Sequence, residues 1–200
     1  MEKIRVRFAP SPTGYVHVGS LRTALYNYLF AKHHGGDFIL RVEDTDQARY
    51  TEGAVENLLE TLRWSGLAYD EGPEKEGPYG PYFQSMRTDI YKKYVEKLIT
   101  DGNAYPCFCS AERLDKMRQD QVSKNLTPRY DGHCRNISRE TSEKKRATDE
   151  YVVRLKVPAL GETRVSDLIR GNVSFQNELI DDQVLIKSDG FPTYHLANVV

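Results

Sequence analysis

The stretch Pro10–Ser20, PSPTGYVHVGS, joins a short alternating segment to a long helical one, and its reading decides the fold. Upstream, Ile4, Val6 and Phe8 alternate with Lys and Arg, the period of a strand, although a buried parallel strand is usually more continuously apolar. Downstream, Leu21, Leu25, Tyr28, Leu29 and Lys32 fall at helical spacing until Gly35-Gly36 supplies a stop. Phe38–Val42, FILRV, reads as the next strand, and Val55, Leu58, Leu59 and Leu62 mark one face of a second helix ending near Gly66. The order β-α-β-α is the start of a parallel α/β sheet. Within it, small Gly/Pro residues between strand and helix let backbone amides approach a phosphate, and the helix N-terminus offers unpaired N–H groups at the positive end of its dipole. His17 adds a donor there. A plain βα loop, in which Pro sets φ and Gly permits positive φ, has the same composition.

Further along, Tyr69–Tyr82 carries several Gly and Pro and is a loop. A third helix spans about Arg87–Thr100, with Ile90, Tyr91, Tyr94, Val95 and Leu98 as its apolar face. From Tyr105 the character changes. A Cys/Pro/aromatic patch and a charged helix (about Ala111–Val122) precede a basic loop region, followed by the strand-like stretches Tyr151–Val157, Asn172–Gln176 and Gln183–Lys187. This has the look of an inserted α+β module. The final stretch, Ser188–Val200, ends in an apolar run without a helix stop, which implies a chain ending inside a domain.

The 200 residues have a formal net charge of −1, so no global basic signature for nucleic acid exists. Charge is uneven, however: acids exceed bases by roughly seven over Asp37–Pro78, and bases exceed acids by about five over Arg113–Arg146. The basic stretch from Arg129 to Arg146 fits either a solvated face or contact with RNA phosphates. No apolar run approaches the about 20 residues that span a bilayer, and MEKIRVRFA lacks a signal-peptide core, so a cytoplasmic protein is expected. Three cysteines, two of them at Cys107 and Cys109, favour reduced thiols or a metal site over disulfides. Cys107-Phe-Cys109 with Tyr130-Asp-Gly-His133-Cys134 offers thiolates for zinc and leaves one tetrahedral position to fill, or else forms a small core of reduced cysteines.

Two more segments bear polar groups in suggestive places. Arg41-Val42-Glu43-Asp44-Thr45-Asp46 lies at the C-terminal end of the second strand, where open α/β sheets bind ligands, and Glu43 can hold an ammonium group there. Asp46 and Thr51 are also good N-caps, so a helix-capping turn explains the acids equally well. Asp189–Asn198, DGFPTYHLAN, reads as a turn entering a helix, with Tyr194 and His195 as possible core residues. Arg5 and Arg7 alternate on the first strand; a solvated edge suits Arg5.

The pattern PxPxGxxHxG followed by RTALxN resembles the first signature of class I aminoacyl-tRNA synthetases, and APSPTG is most similar to the glutamyl branch. Ser20 departs from the general class I signature, which has a second His there. RxEDTDxxR and SDGxPTYHLANVV resemble further segments of the glutamyl and glutaminyl enzymes. The resemblance implies a Rossmann-type catalytic domain, an α/β fold with a parallel sheet, interrupted by an acceptor-stem-binding insertion: residues 1–103, 104–187 and 188–200 in turn. It implies His17, Gly19 and Ser20 as the catalytic group, with Thr13, His17 and Gly19 binding ATP, and Mg²⁺ assisting. It further implies that Arg7, Ala9, Ser11, Glu43, Tyr194 and Asn198 bind L-glutamate, Glu43 at the α-ammonium and Arg7 near the side-chain carboxylate. Tyr194 and Asn198, four apart, share a helical face. Asp44, Thr45 and Asp46 are then structural or near the acceptor end of the RNA.

Some bacterial glutamyl synthetases and their shorter paralogues carry a similar zinc-binding insertion, which implies Cys107, Cys109, Tyr130 and Cys134 as ligands, with His133 in reserve. The implied reaction is ATP-dependent ligation of glutamate to tRNA(Glu) by a monomer. The family's second signature, a Lys-rich loop supporting pyrophosphate, and its anticodon-binding domain have no match in these 200 residues, so a fragment of a longer enzyme, with little activity alone, is expected. The alternatives are the shorter paralogue that glutamylates a modified tRNA nucleoside, a non-catalytic tRNA-binding module, and a small zinc-stabilised nucleotide-binding protein.

Overall fold

Parallel pairing is established within the first forty residues. Strand β1 (Arg5–Phe8) lies beside β2 (Asp37–Leu40) with Arg5 opposite Asp37 and Phe8 opposite Leu40, and helix α1 (Val18–His33) is the crossover between them. The computed structural model describes residues 3–46 and 49–200, and the chain divides into two compact units, Met1–Thr88 and Asp89–Val200. The sequence expectation placed its first change of module at residue 103. Among the described residues no helix is long and apolar enough to cross a membrane.

In the first unit, α1 and α2 (Ala54–Trp64) cover the sheet. Phe8, Ala24, Phe38, Leu40, Leu58 and Leu62 meet in the core, but on α1 the inward face is Ala24 and Ala31 with Leu21 and Tyr28 packed against it, and Leu25 and Leu29 of the expected apolar face are exposed. Gly36 sits where a Cβ would strike the carbonyl oxygen of Ile4, so glycine is what lets the turn after α1 close against the start of β1. Thr51 is not the N-cap of α2: Gly53 occupies that position, with a φ of 76°, and no side chain caps it.

The loop over Tyr69–Tyr82 is less detached than its Gly/Pro content suggests. The Glu71 carbonyl accepts from the Leu40 amide (2.9 Å), and the Val42 amide donates to the Tyr82 carbonyl (2.9 Å), so both ends of the loop lie parallel beside β2. Arg5 is not a solvated edge residue. Its guanidinium makes paired hydrogen bonds to Glu71 (2.5 and 2.9 Å) and stacks 4.2 Å from the Tyr79 ring centroid. The Tyr82 hydroxyl donates to the same carboxylate (2.5 Å), and burial together with that bond pushes its pKa up to about 12.

The second unit contains helix α3 (Thr88–Thr100) from Asp89 onward, buried through Tyr91 and Val95 while Tyr94 stands half out, against expectation. An antiparallel sheet runs in the order β3 (Ala104–Cys107), β4 (Val152–Leu155), β7 (Val184–Ile186). Pro106 is tolerated because β3 is an edge strand. Helices α4 (Ala111–Ser123) and α5 (Arg139–Arg146) lie between β3 and β4 in sequence, and the exposed hairpin β5 (Glu162–Asp167) and β6 (Gly171–Gln176) between β4 and β7. Helix α6 (Tyr194–Val199) closes the unit. Asp182 is its polar hub: the buried carboxylate accepts from Tyr105 (2.6 Å), Arg135 (2.5 and 2.6 Å) and the Val157 amide (3.0 Å), which ties the segments around β3 and β4 to the entry of β7.

Candidate functional site

The C-terminal ends of β1 and β2 meet the loop that begins at Pro10. The Glu43 amide donates to the Pro10 carbonyl and the Thr51 amide to the Pro12 carbonyl, both at 2.9 Å, so the Pro/Gly segment and the acidic segment form one rim. Asn57 of α2 holds the far side, its side-chain oxygen accepting from the Val16 amide at 3.0 Å. Ser11, Thr13 and His17 are exposed on this rim, and Ala9, Gly19 and Ser20 are half-buried.

His17 is the N-cap of α1. Its Nδ1 accepts from the Gly19 amide at 3.0 Å, and its Nε2 lies 3.4 Å from Ser20 Oγ. With Nδ1 accepting, the neutral ring carries its proton on Nε2, a tautomer assigned from this geometry. A Cβ at Gly19 would come within 2.8 Å of the imidazole, so glycine there is what admits the capping rotamer. The three residues that sequence grouped as catalytic are thus one hydrogen-bonded cluster at a helix N-terminus, in reach of an anion.

Glu43 is 4% exposed. Gln84, 1% exposed, donates from Nε2 to Glu43 Oε1 at 3.1 Å, and Arg41 lies 3.9 Å from the same oxygen. Burial raises the pKa of Glu43, while the charges of Arg41 and Arg7 and the Gln84 hydrogen bond oppose that rise. The predicted pair Arg7 and Glu43 is therefore brought together within electrostatic reach. Asp44 has a structural part: its carboxylate accepts from the Ser85 amide (2.8 Å) and hydroxyl (2.6 Å). Asp46 accepts from the Arg49 side chain at 2.7 Å. Gln84 and the placement of Arg41 escaped the sequence reading. The former follows a loop with no periodic signal, and its pairing with Glu43 depends on the parallel bridge between Val42 and Phe83.

In the second unit, Tyr194 and Asn198 do share α6, and both are exposed. His195 is exposed too, so it is not a core residue. The sulfur cluster is compact: the Sγ atoms of Cys107, Cys109 and Cys134 all lie within 4.8 Å of one another. The Tyr130 hydroxyl lies 3.3 Å from Cys107 Sγ and 3.5 Å from Cys109 Sγ, and Cys109 and Cys134 are 3.6 Å apart. His133 is exposed and outside this group. Arg154 packs its guanidinium 3.9 Å from the Tyr130 ring centroid, and Arg113, paired with Asp131, reaches Cys109 Sγ at 3.6 Å. Burial and the neighbouring thiols push the Tyr130 hydroxyl far up.

The family model of tRNA synthetases class I (E and Q), catalytic domain, matches residues 3–200. The chain is 57% identical over 198 residues to a glutamate–tRNA ligase of Dehalococcoides mccartyi, covering 99% of this chain and 39% of that protein. It is 53% identical over 208 residues to one from Alkaliphilus metalliredigens, covering all of this chain and 42% of that one. A crystal structure of a glutamate tRNA ligase from Elizabethkingia meningosepticum in complex with its amino acid superposes with a TM-score of 0.91 at 46% identity, over 99% of this chain and 41% of the other. The chain thus spans about two fifths of the length of these relatives.

Proposed function

The chain belongs to the catalytic-domain family of class I tRNA synthetases for E and Q, and from that premise we propose that the protein carrying it ligates L-glutamate to tRNA(Glu) at the expense of ATP. The observation that carries this reading is the buried Glu43, flanked by Arg7 and Arg41, on the same rim as the His17 helix N-terminus. Glutamate offers one ammonium and two carboxylates. A desolvated anion beside two cations is the complement of such a zwitterion, and a helix N-terminus is the complement of a triphosphate.

Glu43 takes the α-ammonium and Arg7 the side-chain carboxylate, with Ala9 and Ser11 as neighbours on the rim. Tyr194 and Asn198 are proposed, on resemblance alone, as further contacts to the amino acid. A glutamate α-carboxylate oxygen then bonds to the ATP α-phosphorus, the bond from that phosphorus to the bridging oxygen of the β-phosphate breaks, and pyrophosphate leaves. In the second step a ribose hydroxyl of the terminal adenosine attacks the acyl carbon and AMP leaves. No protein nucleophile is required. His17 through Nε2–H, the amides at the start of α1 and Thr13 hold phosphate oxygens as charge shifts among them. Mg²⁺, when bound with the nucleotide, neutralises phosphate charge.

The sulfur cluster fits zinc. A tetrahedral ion with Zn–S bonds of about 2.3 Å needs S···S edges of about 3.8 Å, close to the observed 3.6 Å between Cys109 and Cys134. Cys107, Cys109, Cys134 and the Tyr130 oxygen would hold it in a structural role. The three-part division at residues 103 and 187 remains our proposal for how catalytic and acceptor-binding parts alternate, and the cytoplasm our proposal for location.

The test is glutamate-dependent charging of tRNA(Glu) by the complete protein. His17→Ala should lower kcat at least about 100-fold, the loss typical of one transition-state donor, with the KM for glutamate within about threefold. Unchanged adenylate formation in that variant would remove His17 from the chemistry.

A further inference from the structure

Glu43 does not stand on its strand end unaided. The Val42 amide donates to the Tyr82 carbonyl (2.9 Å) and the Gln84 amide to the Val42 carbonyl (3.0 Å), which locks the turn at 83–85 beside residues 42–44. Two consecutive acids then meet two consecutive residues of the turn. Glu43 Oε1 accepts from Gln84 Nε2, and Asp44 accepts twice from Ser85. Gln84 is one of the largest fully buried side chains of the chain, and a buried carboxylate such as Glu43 needs a donor of this kind to offset its lost hydration. Among the described residues no hydrogen-bond donor reaches Glu43 Oε2 in return.

We propose that Gln84 is a positioning residue for the amino-acid site: its amide fixes Oε1 of Glu43, leaving Oε2 to receive the ammonium of the substrate. This rests on the proposed role of Glu43. The charged groups facing Glu43 are Arg7 from β1 and Arg41 from its own segment, and Gln84 is the neutral donor from the turn. Burial already favours the protonated carboxyl, so losing the amide moves the balance further toward a form that cannot hold a cation.

The complete protein is assayed for tRNA charging as Gln84→Met, which conserves volume and removes the donor, and as Glu43→Gln. In Gln84→Met the KM for glutamate should rise about tenfold and the acid limb of kcat/KM for glutamate should move up by about one pH unit, the effect of one hydrogen bond to a charged group. The KM for ATP should stay within about twofold. In the Glu43→Gln background the same substitution should have no further effect on glutamate KM. If Gln84→Met does not fold, Gln84→Asn, which withdraws the amide by one methylene, is measured instead, with the same directions expected. A large glutamate defect in Glu43→Gln with an unmoved KM and acid limb in the Gln84 variant overturns the positioning role alone. A wild-type glutamate KM in Glu43→Gln overturns the Glu43 reading beneath it.

Discussion

A carboxylate that is 4% exposed disfavours the fold when ionised, and at Glu43 burial outweighs the help of Arg41, Arg7 and Gln84, because the pKa is raised on balance. The native state therefore holds that proton more tightly than the unfolded chain does. Relative stabilisation from Glu43 is greatest below the unfolded carboxyl pKa of about 4.3 and is lost as pH rises through the higher folded value. Glu43→Gln should accordingly raise Tm at pH 7, by about 2–4 °C if the relief is near 1 kcal/mol, while greatly raising the KM for glutamate, and the gain should shrink on acidification. Differential scanning fluorimetry across pH reads this; a lower Tm at pH 7 would mean that the two arginines need the charge more than burial resists it. Glu43 stood out in the sequence as an acid at the C-terminal end of a parallel strand, where such sheets bind ligands, but a capping turn explained it equally well until the resemblance favoured a ligand group. Gln84 was not, since its partner is 41 residues away and a bridge of single residues brings them together.

At the scale of elements, α2 and α3 follow from apolar spacing and β1 and β2 from alternation and a short apolar run, so the β-α-β-α frame was readable, although the spacing that located α1 chose its face wrongly at Leu25 and Leu29, which are exposed. Three elements were hidden for definite reasons. Strand β3 contains Pro106, which argues against a strand until its edge position is known; α5, RETSEKKR, has no apolar face and stands on its Ser138 cap and internal ion pairs; β5 is exposed along its length and needs no alternation. Arg5 was misread for a related reason, because its partner Glu71 comes from a loop that sequence could not dock. That pair anchors the loop through a carboxylate that is only 10% exposed in its side chain. Arg5 holds the Glu71 carboxyl below its ordinary value; burial acts against this and Tyr82 adds to it. The contribution is thus fully present above the unfolded carboxyl pKa and is lost as pH falls through the lower folded one. Arg5→Met should cost about 2–3 kcal/mol at pH 7, less than a fully buried pair because the Arg5 side chain retains some water contact. Urea melts should show the gap from wild type closing below about pH 4; a gap independent of pH would assign the loss to packing on Tyr79.

Over the whole molecule the charge asymmetry seen in the sequence survives in the fold but means less for RNA than the bare run suggested. Each cation of α5 meets a carboxylate: Arg139 with Glu143, Lys144 with Glu140, Lys145 with Asp149, and Arg146 with Glu96. A stretch whose charges are largely balanced in place has little net positive charge with which to displace the counterions condensed on an RNA backbone. The sulfur cluster carries more weight for the second unit, since Tyr105, Cys107, Tyr130 and Cys134 form a small core of their own, distinct from the cluster around Tyr91 and Val153. With Cys109 packed against them, three sulfurs and the Tyr130 phenol, whose hydroxyl is buried among them, make a poor hydrophobic core. An ion would convert that weakness into a crosslink between Cys109 and Cys134, closing the chain that carries α4. One zinc per chain is expected by metal analysis. On chelation, hydrogen exchange should rise at β3, α4 and residues 130–137, while the amides of Asp37 and Arg41, which bond to Ile4 and Phe8 between β1 and β2, keep their protection. Cys134→Ser should reproduce the chelated pattern. Full protection of α4 after chelation would show that the thiols and Tyr130 hold this segment by hydrogen bonding and packing alone.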